Sequence, residues 1–165
     1  LRVENRVLPA GPAPVDMGAN AAFYYGLVAT LSREERPVWT QMTFSAAETN
    51  FGRGAREGIF ARMYWPGYST ISVEELTLRH LLPIAQAGLE SSGVSGAAID
   101  RYLGVIEGRC LTRQNGATWQ LDCVRALEAR GHSRAEALVE MTRAYLVGVE
   151  SNEPVHTWEL PGVPS

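Results

Sequence analysis

Three prolines within six residues, Pro9, Pro12 and Pro14, divide the chain into parts with different periodicities. Before them, Leu1-Arg2-Val3-Glu4-Asn5-Arg6-Val7 alternates, with Leu1, Val3 and Val7 on one side and Arg2, Glu4 and Arg6 on the other. That is the pattern of a half-buried β-strand, and the prolines end it because they cannot donate to a ladder. After them the apolar spacing is that of helices almost to the end. One or two N-terminal strands followed by about six helices make the expected fold class mainly α. A lone strand has no partner, and the chain opens inside a strand pattern without Met. It therefore reads as the C-terminal piece of a larger protein.

The helices are marked by their start and stop residues. Asp16 is expected to cap the first, which runs to about Leu31 on a stripe of Met17, Ala21, Tyr24, Val28 and Leu31. Asn20, one turn beyond Asp16, reads first as a local hydrogen bond or helix contact. Val38 to Met42 could form a short extended piece. Ser45 opens a second helix through Glu57, stopped by Gly58. Its Asn50, Gly52, Arg53, Gly54 and Arg56 are poor filler for a packing helix, and paired glycines allow close approach of a backbone or a ligand. Tyr64-Trp65-Pro66-Gly67 is a turn, with Trp65 expected as a core anchor.

Ser72 and Glu75 form a capping box for the third helix, with Leu78, Leu81, Leu82, Ala85 and Leu89 inward and a kink expected at Pro83. His80 reads as a packed or surface histidine. Ser95 opens the fourth helix on Ile99, Leu103 and Ile106. After the turn pair Asn115-Gly116, a fifth helix (Ala117 to Arg130) shows Ala117, Leu121, Val124 and Leu127. Ser133 and Glu136 box the sixth, on Leu138, Met141, Tyr145 and Val149. Residues 1–158 read as one helical domain with its strand, and 159–165 as a frayed tail.

Composition narrows the chemistry. All 15 basic residues are arginine, which removes Schiff-base or P-loop lysine chemistry. A net charge of −3 argues against non-specific nucleic-acid binding, and no apolar run reaches the roughly 20 residues of a membrane span. Cys110 and Cys123 make no CxxC pattern and read as free buried thiols of a cytoplasmic protein. The sequence lacks GxGxxG after a strand, GxxxxGK[ST], HExxH and GxSxG, and its histidines at 80, 132 and 156 are scattered. What stands out is the Arg2/Glu4/Arg6 face. It suits a hard metal ion flanked by anion-gripping guanidiniums, although a solvated strand face reads the same way.

The strand, the Leu8-to-Pro12 segment and Val-Asp-Met-Gly-Ala-Asn-Ala-Ala-Phe-Tyr-Tyr-Gly-Leu (residues 15–27) resemble the C-terminal half of the bacterial glutamate–cysteine ligase type 2 family, the carboxylate–amine ligases. Further similar segments follow in the same order: Glu48-Thr49-Asn50 with Ala55 to Gly58, Leu81 to Ala85 with Gly88-Leu89, Arg109 through Gly116 to Gln120, and Asn152 to Trp158. The resemblance implies the C-terminal part of a glutamine-synthetase-like α+β fold, with ATP and Mg2+ on the concave face of a curved sheet. It implies amide formation on the γ-carboxylate of glutamate, through an acyl phosphate, with an amine such as cysteine as acceptor. By family position Glu4 would be a metal ligand, Arg6 the catalytic phosphate clamp and Arg2 a substrate-carboxylate contact. Asn50, Arg56, Trp119 and Gln120 match family positions and would either shape the substrate pocket or pack the helices. Glu4 alone cannot complete a metal site, so the chain without the missing N-terminal part of the domain is expected to be inactive. A non-catalytic helical unit for packing, homo-oligomerisation or ligand binding is the alternative, since amphipathic helices need no function beyond burial.

Overall fold

The computed structural model describes residues 10–161, which are mainly helical with one short two-stranded antiparallel sheet. The opening strand pattern, and with it Arg2, Glu4 and Arg6, lies outside the described residues, as do residues 162–165.

Helix α1 (Pro14–Leu31) starts with proline in its first turn, where a missing N–H costs nothing. Asp16 is not the N-cap residue; it sits within the first turn and reaches back to accept from the Ala13 N–H at 3.2 Å. The inward face also differs from the expected stripe. Val15, Asp16, Ala19 and Gly26 are buried, whereas Met17 and Val28 are exposed. The cause is the crossing with α5 (Leu82–Ser91). A Cβ on Gly26 would lie 2.3 Å from the Ala85 carbonyl oxygen, and one on Gly88 would lie 2.0 Å from the Gly26 carbonyl oxygen. The two backbones touch there, and the Thr30 hydroxyl donates across the seam to the Ile84 carbonyl at 2.8 Å. Close approach is set by the smallest side chains, so bulk turned outward.

Val38–Gln41 is a helical turn, α2, rather than an extended piece: Pro37 opens it with φ −57°, and its carbonyl accepts from the Thr40 hydroxyl. Helix α3 (Phe44–Glu57) is opened by Thr43 and not by Ser45, because the Thr43 hydroxyl accepts from the Ala46 N–H, and it ends at Gly58, whose φ of 57° suits glycine. An antiparallel hairpin follows, β1 (Arg62–Trp65) and β2 (Tyr68–Ser72), around the Pro66-Gly67 turn. Trp65 is only half-buried and belongs to this hairpin instead of anchoring the core.

The Ser72 hydroxyl accepts from the Glu75 N–H at 3.1 Å and starts α4 (Val73–Leu76). A π-turn over Thr77–Leu81 then leads into α5, with the Leu82 N–H donating to the Thr77 carbonyl. The widened turn precedes Pro83, whose ring would otherwise press on the carbonyl four residues back. The expected irregularity therefore takes the form of a π-bulge ahead of the proline.

Helices α6 (Gly96–Thr112), α7 (Gly116–Ala129) and α8 (Arg134–Ser151) complete the structure. The larger core cluster joins Val15, Ala19, Val105, Ile106, Trp119, Cys123, Leu127, Ala137, Val155 and Trp158; a smaller one joins Ala85, Leu89, Ile99 and Leu103. Phe23 and Leu82 pack against both. Cys110 and Cys123 are free and buried, and burial pushes both thiols above their ordinary range. Beyond Trp158, Leu160 still packs against the core and the Glu159 carbonyl accepts from the Trp119 indole. No helix among the described residues is long and apolar enough to cross a membrane.

Candidate functional site

The segments carrying the family resemblance are far apart in sequence, yet several meet around one buried ion pair. Asp16 is fully buried and accepts from Arg109 Nη2 at 2.6 Å. Arg109 Nη1 donates to Asn20 Oδ1 at 2.7 Å, and Nη2 also reaches the Asp16 carbonyl at 3.2 Å. A 3-10 turn at Val155–Thr157 brings the last part of the chain to the same carboxylate, which accepts from the Val155 N–H at 3.3 Å. Asn152, left-handed at φ 54°, ends α8 and accepts from the Val15 N–H through Oδ1 at 3.0 Å. Gln114 Nε2 donates to the carbonyls of Val155 and Trp158 at 2.8 and 2.9 Å. Asp16, Asn20, Arg109, Gln114 and Asn152 thus bind α1, α6 and the post-α8 segment into one knot. The spacing of Asp16 and Asn20 on α1 is what offers two acceptors to a single guanidinium.

His156 sits against this knot. Its ring lies on the bare backbone of α6, where a Cβ on Gly108 would be 2.3 Å from Nε2. Nδ1 is buried with no hydrogen-bond partner among the described residues, as is Arg109 Nε. Burial and, after it, the Arg109 charge hold the imidazole below its ordinary pKa, with Asp16 pulling the other way. Unfolding would thus release a histidine that protonates more readily. Stability from this group is present above the ordinary histidine pKa and falls as pH drops towards the folded value.

Beside the knot a cleft of about 920 Å³ opens between α7 and α8, bordered by Ala10, Gly11 and Pro12 and by Asn20 and Arg109. Gly116 lets the Pro12 ring seat against the start of α7, since a Cβ there would lie 2.7 Å from Pro12 Cγ. Asn115 caps α7, its Oδ1 accepting from the N–H groups of Ala117 and Thr118 at 3.0 Å. Gln120, Leu121, Val124 and Arg125 of α7 face Arg134, Leu138, Met141 and Tyr145 of α8 across the cleft. No Asp or Glu lines it among the described residues.

Of the four described candidates from the sequence, only Gln120 lines this cleft. Trp119, next to it in sequence, points the other way and is 2% exposed. It packs edge-on to Trp158 with centroids 5.3 Å apart, and its indole N–H donates to the Glu159 carbonyl. Asn50 grips the hairpin as a strand would, donating to the Tyr64 carbonyl at 2.8 Å and accepting from the Tyr64 N–H at 2.9 Å. Arg56 is exposed and lies along Gly52 of the same helix. His80 packs tilted against the Tyr68 ring, with centroids 4.8 Å apart. Arg109 opens one of the similar segments, but its pairing with Asp16 has no local signal; Arg125 and Arg134 have none either, since exposed helix arginines are common and nothing in their spacing announces a shared concavity.

Among the described residues no group of three or more His, Cys, Asp or Glu side chains is placed to hold a metal ion. The described acidic side chains therefore do not by themselves assemble a metal site beside this cleft. Glu4 and Arg6 lie outside the described residues. The chain matches no family model, no curated protein and no solved structure.

Proposed function

We propose that the chain is the C-terminal portion of a cytoplasmic, ATP-dependent carboxylate–amine ligase of the glutamine-synthetase-like type, forming an amide on the γ-carboxylate of glutamate. The observation that supports this is the convergence described above. Three segments similar to the family, holding Asp16 and Asn20, Arg109, and Asn152 to Trp158, share one hydrogen-bonded knot beside a cleft lined by arginine and glutamine. Each of these segments completes the others' hydrogen bonding. In this reading the knot fixes Arg109 and the wall carrying Gln120 relative to the rest of the domain, and the metal ligands come from Glu4 and the part of the domain upstream. Two or more carboxylates are needed for such a metal site, so the 165-residue chain alone has no turnover.

The test is ADP release by the intact protein with Mg2+, ATP, glutamate and a panel of amines that includes cysteine, beside its Glu4→Gln form. Amine-dependent release that is lost in the variant supports the reading and names the acceptor. No release with any amine from folded protein overturns it, and turnover by the isolated chain overturns the assignment as an incomplete portion.

A second reading, a non-catalytic unit that associates through its helices, is favoured by α2 and α3. Neither buries a residue, and Trp39, Phe44 and Phe51 are 74%, 84% and 67% exposed. Phe44 and Phe51 are seven residues apart and share a face of α3, away from the Asn50 side that holds the hairpin. Exposed apolar surface of this kind marks contact with another protein surface. Sedimentation of the chain separates the two. A dimer abolished by Phe44→Ser with Phe51→Ser, together with silent ADP assays on the intact protein, would establish association as the role of these helices.

A further inference from the structure

The cleft between α7 and α8 has two kinds of wall. Its floor is apolar, from Leu121, Val124, Leu138 and Met141. Leu121 and Leu138 are 53% and 42% exposed although both follow the helical apolar period, because the space between them is open. Among the described residues, its charged groups are all cationic. Arg109 is immobilised by Asp16 and Asn20, and its charge is already matched by the Asp16 carboxylate. Arg125 and Arg134 are different: each is exposed and makes one ion pair at 3.2 Å, to Asp122 and to Glu128, and neither carboxylate lines the cleft. Exposed pairs of this geometry are weak, so either guanidinium can exchange its partner for an incoming anion at little cost. Guanidinium binds carboxylate and phosphate with matched, often bidentate geometry. A concave apolar surface with a few placed polar groups is the general form of a small-molecule site.

We propose that this cleft is a binding site for an organic anion with an apolar body, the body lying over Leu121 and Leu138 and its carboxylate or phosphate held by Arg125 and Arg134. Gln120 lines the same space and forms no hydrogen bond to another described side chain or backbone group, leaving its carboxamide for a neutral polar atom of the ligand. The walls of the cleft would hold such a ligand whether or not the intact protein is a ligase.

The experiment is calorimetric titration of the 165-residue chain, without nucleotide or glutamate, with 3-phenylpropionate, phenyl phosphate, inorganic phosphate and phenethylammonium. The two aromatic anions should bind, with inorganic phosphate at least roughly tenfold weaker, about 1.4 kcal/mol, and the cation silent. Whichever aromatic anion binds more tightly identifies the head group. Arg125→Gln with Arg134→Gln should weaken both by about tenfold or more, and Leu121→Asn should weaken the aromatic anions while leaving inorganic phosphate unchanged. All three positions are exposed, so circular dichroism and melting should show the variants folded. Equal binding of phenyl phosphate and inorganic phosphate, unchanged affinity in the double arginine variant, or no binding by folded chain would overturn the proposal. Failure of ADP release by the intact protein would leave these titrations untouched, so the two readings fall separately.

Discussion

Asp16→Ala should lower the unfolding free energy by about 3–5 kcal/mol, the usual cost of removing one member of a buried ion pair. Asp16 is fully buried and its partner Arg109 nearly so. Without the carboxylate, Arg109 keeps only Asn20 and one backbone carbonyl, and the N–H groups of Ala13 and Val155 lose their acceptor. Each buried donor left unmet adds about 1–3 kcal/mol of its own, and these contributions overlap. Urea denaturation followed by circular dichroism reads the total. Hydrogen exchange at the Val155 amide gives the local part, and protection there should be lost first. A loss below about 1 kcal/mol would mean that the knot is replaceable by simple packing.

The second large effect is expected at the α1–α5 crossing. Gly88→Val places a branched Cβ where even a methyl group would be 2.0 Å from the Gly26 carbonyl oxygen and 2.8 Å from the Thr30 hydroxyl. Backbone cannot yield as a flexible side chain does, so the helices must separate. That breaks the Thr30–Ile84 bond and opens the smaller core cluster. Overpacking typically costs about 1–3 kcal/mol, and a clash with main chain belongs at or beyond the top of that range. Gly104→Ala on α6 is the matched control. Nothing lies within 4 Å of a Cβ there, so replacing a helix-interior glycine should raise stability by roughly 0.5–1 kcal/mol. Thermal melts of both variants test the pair. A Gly88→Val protein that melts like the parent would show that the crossing is looser than the backbone contact implies.

These two positions also show what the sequence could and could not reveal. Some helix starts were legible because their chemistry is local, although Asp16 and Ser45 were not the caps of α1 and α3. Ser133 with Glu136 forms the expected capping box and Ser72 accepts from the Glu75 N–H, both within four residues, whereas Asn115, read as a turn residue, proves to be the cap of α7. The inward face of α1 was not legible, because counting bulky apolar residues puts Met17 and Val28 inside, whereas Gly26 and Gly88 decide the contact by what they lack. The hairpin was half visible. Pro66-Gly67 gave its turn, but Arg62-Met63 and Ser69-Thr70 hide the alternation of the strands beside it. Leu121 and Leu138 fit the helical period correctly, yet the period cannot say whether the facing surface is filled or open. Asp16 and Arg109 are 93 residues apart. Their pairing, and the arrival of Val155 at the same carboxylate, belongs to the tertiary fold alone.

The joining of Asp16 to Val155 carries a consequence for how the molecule is made. A chain emerging vectorially from a ribosome presents α1 long before its partners exist. Its first turn holds a carboxylate that cannot be buried without penalty until Arg109, and then Val155, have followed. Contacts of such sequence separation form late and slow the overall rate, so the nascent helices should remain a loose, chaperone-accessible collection until synthesis has passed Trp158. Stalled chains ending at Ser151 should accordingly be cut by protease within α1, and chains extended through Trp158 should resist.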